Sequence, residues 1–150
     1  MSTHYRRRIR EAVRAMLTGA TTAGANVFTG RTIPLSDIDS AVLVFARDEQ
    51  SQRGAMGRGG RALDRVLQLH VEARVALAST DPEDILDAMA VDIERAMASN
   101  ETIDGLVRDS HLVSTELDAR AASDMREGIA RLTYTVEYST LDNDPTRGVD

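Results

Sequence analysis

The first periodic segment is helical. Ile9, Val13, Met16 and Leu17 recur at helical spacing, while Arg6, Arg7, Arg10 and Arg14 lie mostly off that stripe. Ser2 or Thr3 suits the cap, and Gly19 can end the helix. A loop follows through TTAGA. NVFTGRTIPLSDID reads as a short strand and a second loop, in which Pro34 blocks regular pairing. From Ala41 to Ala46 the chain is continuously apolar, the pattern of a strand buried on both faces or packed in an interface. The clearest strand is LQLHVEARVAL. Leu67, Leu69, Val71, Ala73, Val75 and Leu77 point one way; Gln68, His70, Glu72, Arg74 and Ala76 point the other. The clearest helix is PEDILDAMAVDIERAMA, capped by Thr80 or Asp81, with Pro82 in its first turn and Glu83 and Asp84 at the positive end of its dipole. Its apolar stripe is Ile85, Leu86, Met89, Ile93, Ala96 and Met97. HLVSTELDAR is a weaker strand. The last alternating segment sets Leu132, Tyr134, Val136 and Tyr138 against Arg131, Thr133, Thr135 and Glu137.

This order predicts a single α+β domain: a mainly antiparallel sheet, its last two strands a hairpin or meander, with two principal helices packed on it. Two segments break the periodicity. Residues 48–61 are rich in Gly and Arg and read as a flexible loop that orders on assembly. Residues 141–150, LDNDPTRGVD, read as a mobile tail.

Composition narrows the chemistry. With 150 residues, one core suffices. Aromatics make up 3%, so the core rests on aliphatic residues and Met, and a large aromatic ligand pocket is hard to build. There is no Cys, which removes disulfides, thiolate zinc sites and cysteine nucleophiles. Every basic side chain is Arg, which removes Schiff-base lysines and Walker-type phosphate loops. The net charge of −6 argues against general nucleic-acid binding. No apolar run reaches membrane-spanning length, and no signal-peptide core follows the basic start, so synthesis in the cytosol is expected.

Each candidate motif has a plainer reading. GRGGRA, Gly57–Ala62, fits G-x-G-x-x-A, but that fingerprint works between a strand and the helix it opens, and a strand is expected next. Arg53, Arg58 and Arg61 could grip phosphates, yet no aromatic residue interleaves for base stacking. His4, His70 and His111 share no metal-ligand spacing; His70, beside Glu72, suits a solvent-facing or cross-strand role. Asp84, Asp87 and Glu94 fall on the outer face of their helix, its ordinary solvated side. Asn100 in NET fits the glycosylation pattern, which matters only on secretion. No catalytic, cofactor or metal constellation emerges.

The layout resembles the tail terminator, or tail completion, proteins of long-tailed lambda-like phages and gene transfer agents. The features are the helix YRRRIREAVRAML, the segment ANVFTGRTIPLSDIDSAVLVFARDEQ, the alternating strand LQLHVEARVAL, the helix PEDILDAMAVDIERAM and the closing ARLTYTVEYST, with Val136, Tyr138 and Thr140 in its Val-x-Tyr-x-Thr ending. Many relatives carry a Pro just before the apolar strand, whereas Asp39 and Ser40 stand here. The resemblance implies a virion structural protein without catalysis or cofactor. It implies a hexameric ring on the last ring of the tail tube, which stops tube growth and meets a neck or head–tail connector protein. DNA would pass through the lumen without specific binding. The implied subunit or partner interface includes Arg47, Glu49, Arg53, Arg58 and Arg61. Two alternatives remain at this stage: a neck or head–tail joining protein, and a small cytosolic nucleotide-binding domain.

Overall fold

The helical stripe at the start of the chain becomes α1, Tyr5–Leu17, with Ile9, Val13 and Leu17 fully buried. Its cap is His4 rather than Ser2 or Thr3: the ring nitrogen Nδ1 accepts from the Arg6 amide at 3.0 Å, filling the place of a short hydroxyl side chain. The computed structural model describes residues 2–30, 39–77, 81–122 and 125–149, with side chains except at 77, 120–122 and 125–126. Pro34 lies outside the described residues. The further elements are β1 (Val27–Thr29), β2 (Ser40–Gly57), β3 (Gly60–Leu77), α2 (Pro82–Ala98), β4 (Asp109–Ala122), β5 (Met125–Leu141) and β6 (Asp144–Gly148). Asp81 caps α2, accepting from the Glu83 amide at 3.0 Å.

One six-stranded sheet runs β1-β2-β3-β5-β4, with β6 paired to β5. Only β1 and β2 are parallel; the other pairs are antiparallel, so the fold is α+β in one domain. Both helices cover one face. α1 packs over β1 and β2, and α2 over β3, β5 and β4. The core between them holds Val42 and Val44, the β3 set Leu67, Leu69, Val71, Ala73 and Val75, and the β5 set Leu132, Tyr134, Val136 and Tyr138. Ala41, Leu43 and Phe45 form a separate buried cluster with Phe28 packed against it. The continuous apolar run is therefore a strand buried on both sides.

The Gly/Arg-rich segment differs from expectation. Residues 48–57 are the outer half of β2, which pairs with β3 from Ser40↔Val75 to Gly57↔Gly60. Only Arg58 and Gly59 remain for the turn. Gly59 at φ 92° and Gly60 at φ 132° take backbone angles that side chains disfavour, so GRGG is a hairpin turn. The strand was hidden because two bulges, between Ala46 and Glu49 and between Arg53 and Met56, reset its alternation. The last residues differ too. β6 pairs with β5, and Gly148 lies so close to the Tyr5 ring that a Cβ there would sit 2.8 Å from it.

Candidate assembly surface

The first bulge has a local consequence. It sets Arg47 and Asp48 against the single residue Gln68, so Glu49 stands opposite Leu67, whose side chain is on the helix-covered side. There Glu49 meets Arg65 of β3 at 2.9 Å, Arg6 of α1 at 2.6 Å and the Tyr138 hydroxyl of β5, which donates a short hydrogen bond to it. Arg65 is 9% exposed and Glu49 10%, and Arg65 also donates to Thr140 at 3.0 Å. Burial pushes the Glu49 pKa up. The hydrogen bonds from Tyr138 and Arg65 and the charges of Arg6 and Arg65 outweigh it, and the carboxyl is held below its ordinary value. Burial, then the bond to Glu49, pushes the Tyr138 phenol up. Tyr5 stacks on Tyr138 at 5.5 Å and donates to the Leu106 carbonyl at 2.6 Å. This cluster ties the base of the β2–β3 hairpin to α1 and β5.

The other expected interface residues lie on the hairpin. Arg47 is exposed at the bulge, 3.8 Å from Asp48. Arg53 and Arg58 are exposed, Arg58 at the turn. Arg61 is half-buried and donates across the hairpin to the Gly54 carbonyl at 3.2 Å. The structure thus brings four arginines along the outer part of the β2–β3 hairpin and turns Glu49 inward, to partners within its own chain. GRGGRA sits between two antiparallel strands and opens no helix, so its amides lack the geometry of a dinucleotide site.

Both flanks of the sheet carry open strand. β1 pairs only with Val42–Val44, and among the described residues no strand borders β2 from Arg47 to Gly57 on that side. At the far flank β4 pairs, among the described residues, only with β5. Its side chains from Val113 to Ala119 are all exposed, with Val113 and Leu117 large apolar groups among them. Such edges hold backbone groups ready to pair with another strand.

The face away from the helices carries a polar row that the alternation alone did not foretell. Glu72, wholly buried, accepts from Arg74 at 2.6 Å and Arg131 at 2.9 Å, and Arg131 reaches Glu116 at 3.3 Å. In the next row Phe45 stacks on His70 at 5.2 Å, and His70 lies 3.4 Å from the Thr133 hydroxyl. His70 is thus a buried cross-strand residue rather than a solvent-facing one. Burial first, then the charges of Arg131 and Arg47, lower its pKa. Strand register, which no sequence pattern reports, makes the row: Leu43, Glu72, Arg131 and Glu116 face each other across four strands. His4 and His111 lie elsewhere, His111 exposed on β4 at 3.3 Å from Asp109. Asp84, Asp87 and Glu94 are exposed on α2, as expected.

Residues 4–138 match the family described as phage minor tail protein U. The chain belongs to that family. It is therefore a structural component of a phage-type virion tail, and the matched span runs from the cap of α1 to Tyr138 in the buried cluster. A chain in the solved virion of a native gene transfer agent particle is similar at 13% identity, over 89% of this tail protein and 92% of that chain, with a TM-score of 0.34. No curated protein sequence matches. No helix among the described residues is long and apolar enough to cross a membrane.

Proposed function

We propose that this tail protein is a tail terminator. Six copies close into a ring on the head-proximal end of the tail tube, stop its polymerisation and present a surface to the neck or head–tail connector protein. The observation that carries the reading, beside family membership, is the sheet left open at both flanks. A closed ring needs two different surfaces on each subunit that fit one another, and two open edges of one sheet supply them. Arg47, Arg53, Arg58 and Arg61 border the open half of β2 and reach carboxylates of a neighbouring subunit or of the tube. Glu49 acts from inside by holding the hairpin base. The net charge of −6 suits a lumen through which DNA slides without binding.

The test is tube length. Tails assembled without this protein should lose their fixed length and fail to join heads, and purified protein added to growing tubes should halt them. Tubes of normal length in its absence would overturn the reading. Removing residues 52–60 should abolish capping while the shortened protein still folds; full capping by that variant would exclude the hairpin from the interface.

A further inference from the structure

The two helices are oppositely charged. α1 carries five arginines and one glutamate, a net of +4; α2 carries five carboxylates and one arginine, a net of −4. Opposite charges three or four residues apart on a helix, or on two helices in contact, can pair with one another. Here the two helices share one layer and touch, yet among the described residues no ion pair joins them. Arg6 is drawn to Glu49 and Arg14 to Glu11, while Arg7 and Arg10 have no carboxylate partner among the described residues. On α2, Glu83, Asp84, Asp87, Asp92 and Glu94 have no basic partner among the described residues. The layer thus presents a basic side above β1 and β2 and an acidic side above β3, β5 and β4, the same two flanks that carry the open strand edges.

We infer that the partner of each helix is a second copy of this chain: the basic face of α1 in one subunit docks against the acidic face of α2 in the next. The inference rests on the ring reading and gives it a direction. Like flanks repel, so a two-fold pairing of α1 on α1 or of α2 on α2 is disfavoured, whereas head-to-tail contact, flank on opposite flank, places a basic face on an acidic one at every junction of the ring. Neither open edge alone supplies that polarity. The contact is electrostatic, so it weakens as the screening length falls from about 10 Å at 0.1 M salt to about 3 Å at 1 M.

Two charge-reversed variants test it. Arg7→Glu, Arg8→Glu and Arg10→Glu together turn the net charge of α1 negative; Asp84→Arg, Asp87→Arg and Glu94→Arg turn that of α2 positive. Circular dichroism and urea unfolding would establish that both fold. Assembly is read by native mass spectrometry and sedimentation, free in solution and on purified tail tubes. Each variant alone should need at least about tenfold more protein to assemble than the wild type. An equimolar mixture should assemble again, because alternating copies restore opposite charges at every contact. Assembly of either variant alone at wild-type concentration would overturn the inference and leave the ring reading standing. So would a mixture that fails while the wild type assembles. A wild type that forms no ring in solution or on tubes overturns the ring reading, and this inference with it.

Discussion

Replacing Glu49 with Gln keeps the shape of the side chain and removes its charge. The Arg65 guanidinium, 9% exposed, then has no counter-charge, and Tyr138 and Arg6 lose their anionic acceptor. Breaking one partner of a buried ion pair costs about 3–5 kcal/mol. Arg6 is 36% exposed and water compensates it, so the lower figure, about 3 kcal/mol, is the expected loss. For a chain of this size that lowers Tm by roughly 6–12 °C. The assay is urea and thermal unfolding of the dilute, unassembled protein, which isolates folding from subunit contact. Removing the orphaned charge as well, in Glu49→Gln/Arg65→Met, should recover part of the loss. A Glu49→Gln variant within about 1 kcal/mol of wild type would refute the reasoning. It would mean that Glu49 is no more than a surface ion, free to serve an interface directly.

Three further outcomes follow from the same structure. Gly128→Ala brings a Cβ to 2.7 Å from Leu86 and 2.9 Å from Pro82, so β5 must move off the start of α2; the expected loss is about 1–3 kcal/mol, and equal stability by urea titration would contradict it. Gly60→Val forces a β-branched residue to φ 132° and should speed amide exchange across the outer hairpin while leaving the Tm nearly unchanged; unaltered exchange there would count against the turn geometry. Stability should fall with acid in two stages. The depressed pKa values of His70 and His4 mean that the unfolded chain takes up these protons first, so stability drops as pH falls below the ordinary histidine value. The contribution of Glu49 is present above the ordinary carboxylate value and is lost as pH falls through its depressed one. His70→Gln should flatten part of the first stage, His4 supplying the rest, and leave the second unchanged; an unchanged profile would refute the assignment.

The sequence was most legible where burial is one-sided. The stripes of α1 and α2 and the alternation of β3 and β5 report a single covered face, and Ile9, Met89, Leu69 and Leu132 lie in it. It was least legible where a strand is paired but not covered. The outer half of β2 has mostly exposed side chains and two bulges, so neither hydrophobicity nor period marks it, although its backbone pairs with β3 on either side of each bulge. β6 was missed for the same reason. Buried polar groups were hidden differently. Glu49 and Glu72 look like ordinary surface acids until strand register sets Arg65, Tyr138 and Arg131 beside them, and register is a tertiary quantity. The arginines of the hairpin were visible as a cluster, but not that two paired strands and a turn at Arg58 and Gly59 carry them.

The most direct measurement of the central claim is an electron cryomicroscopy reconstruction of complete tails, with this protein located by a tag on the hairpin turn at Arg58. Six copies are expected in one closed ring at the head-proximal end of the tube, with the α1 flank of each subunit on the α2 flank of the next. Copies spread along the tube, or confined to its distal tip, would contradict it.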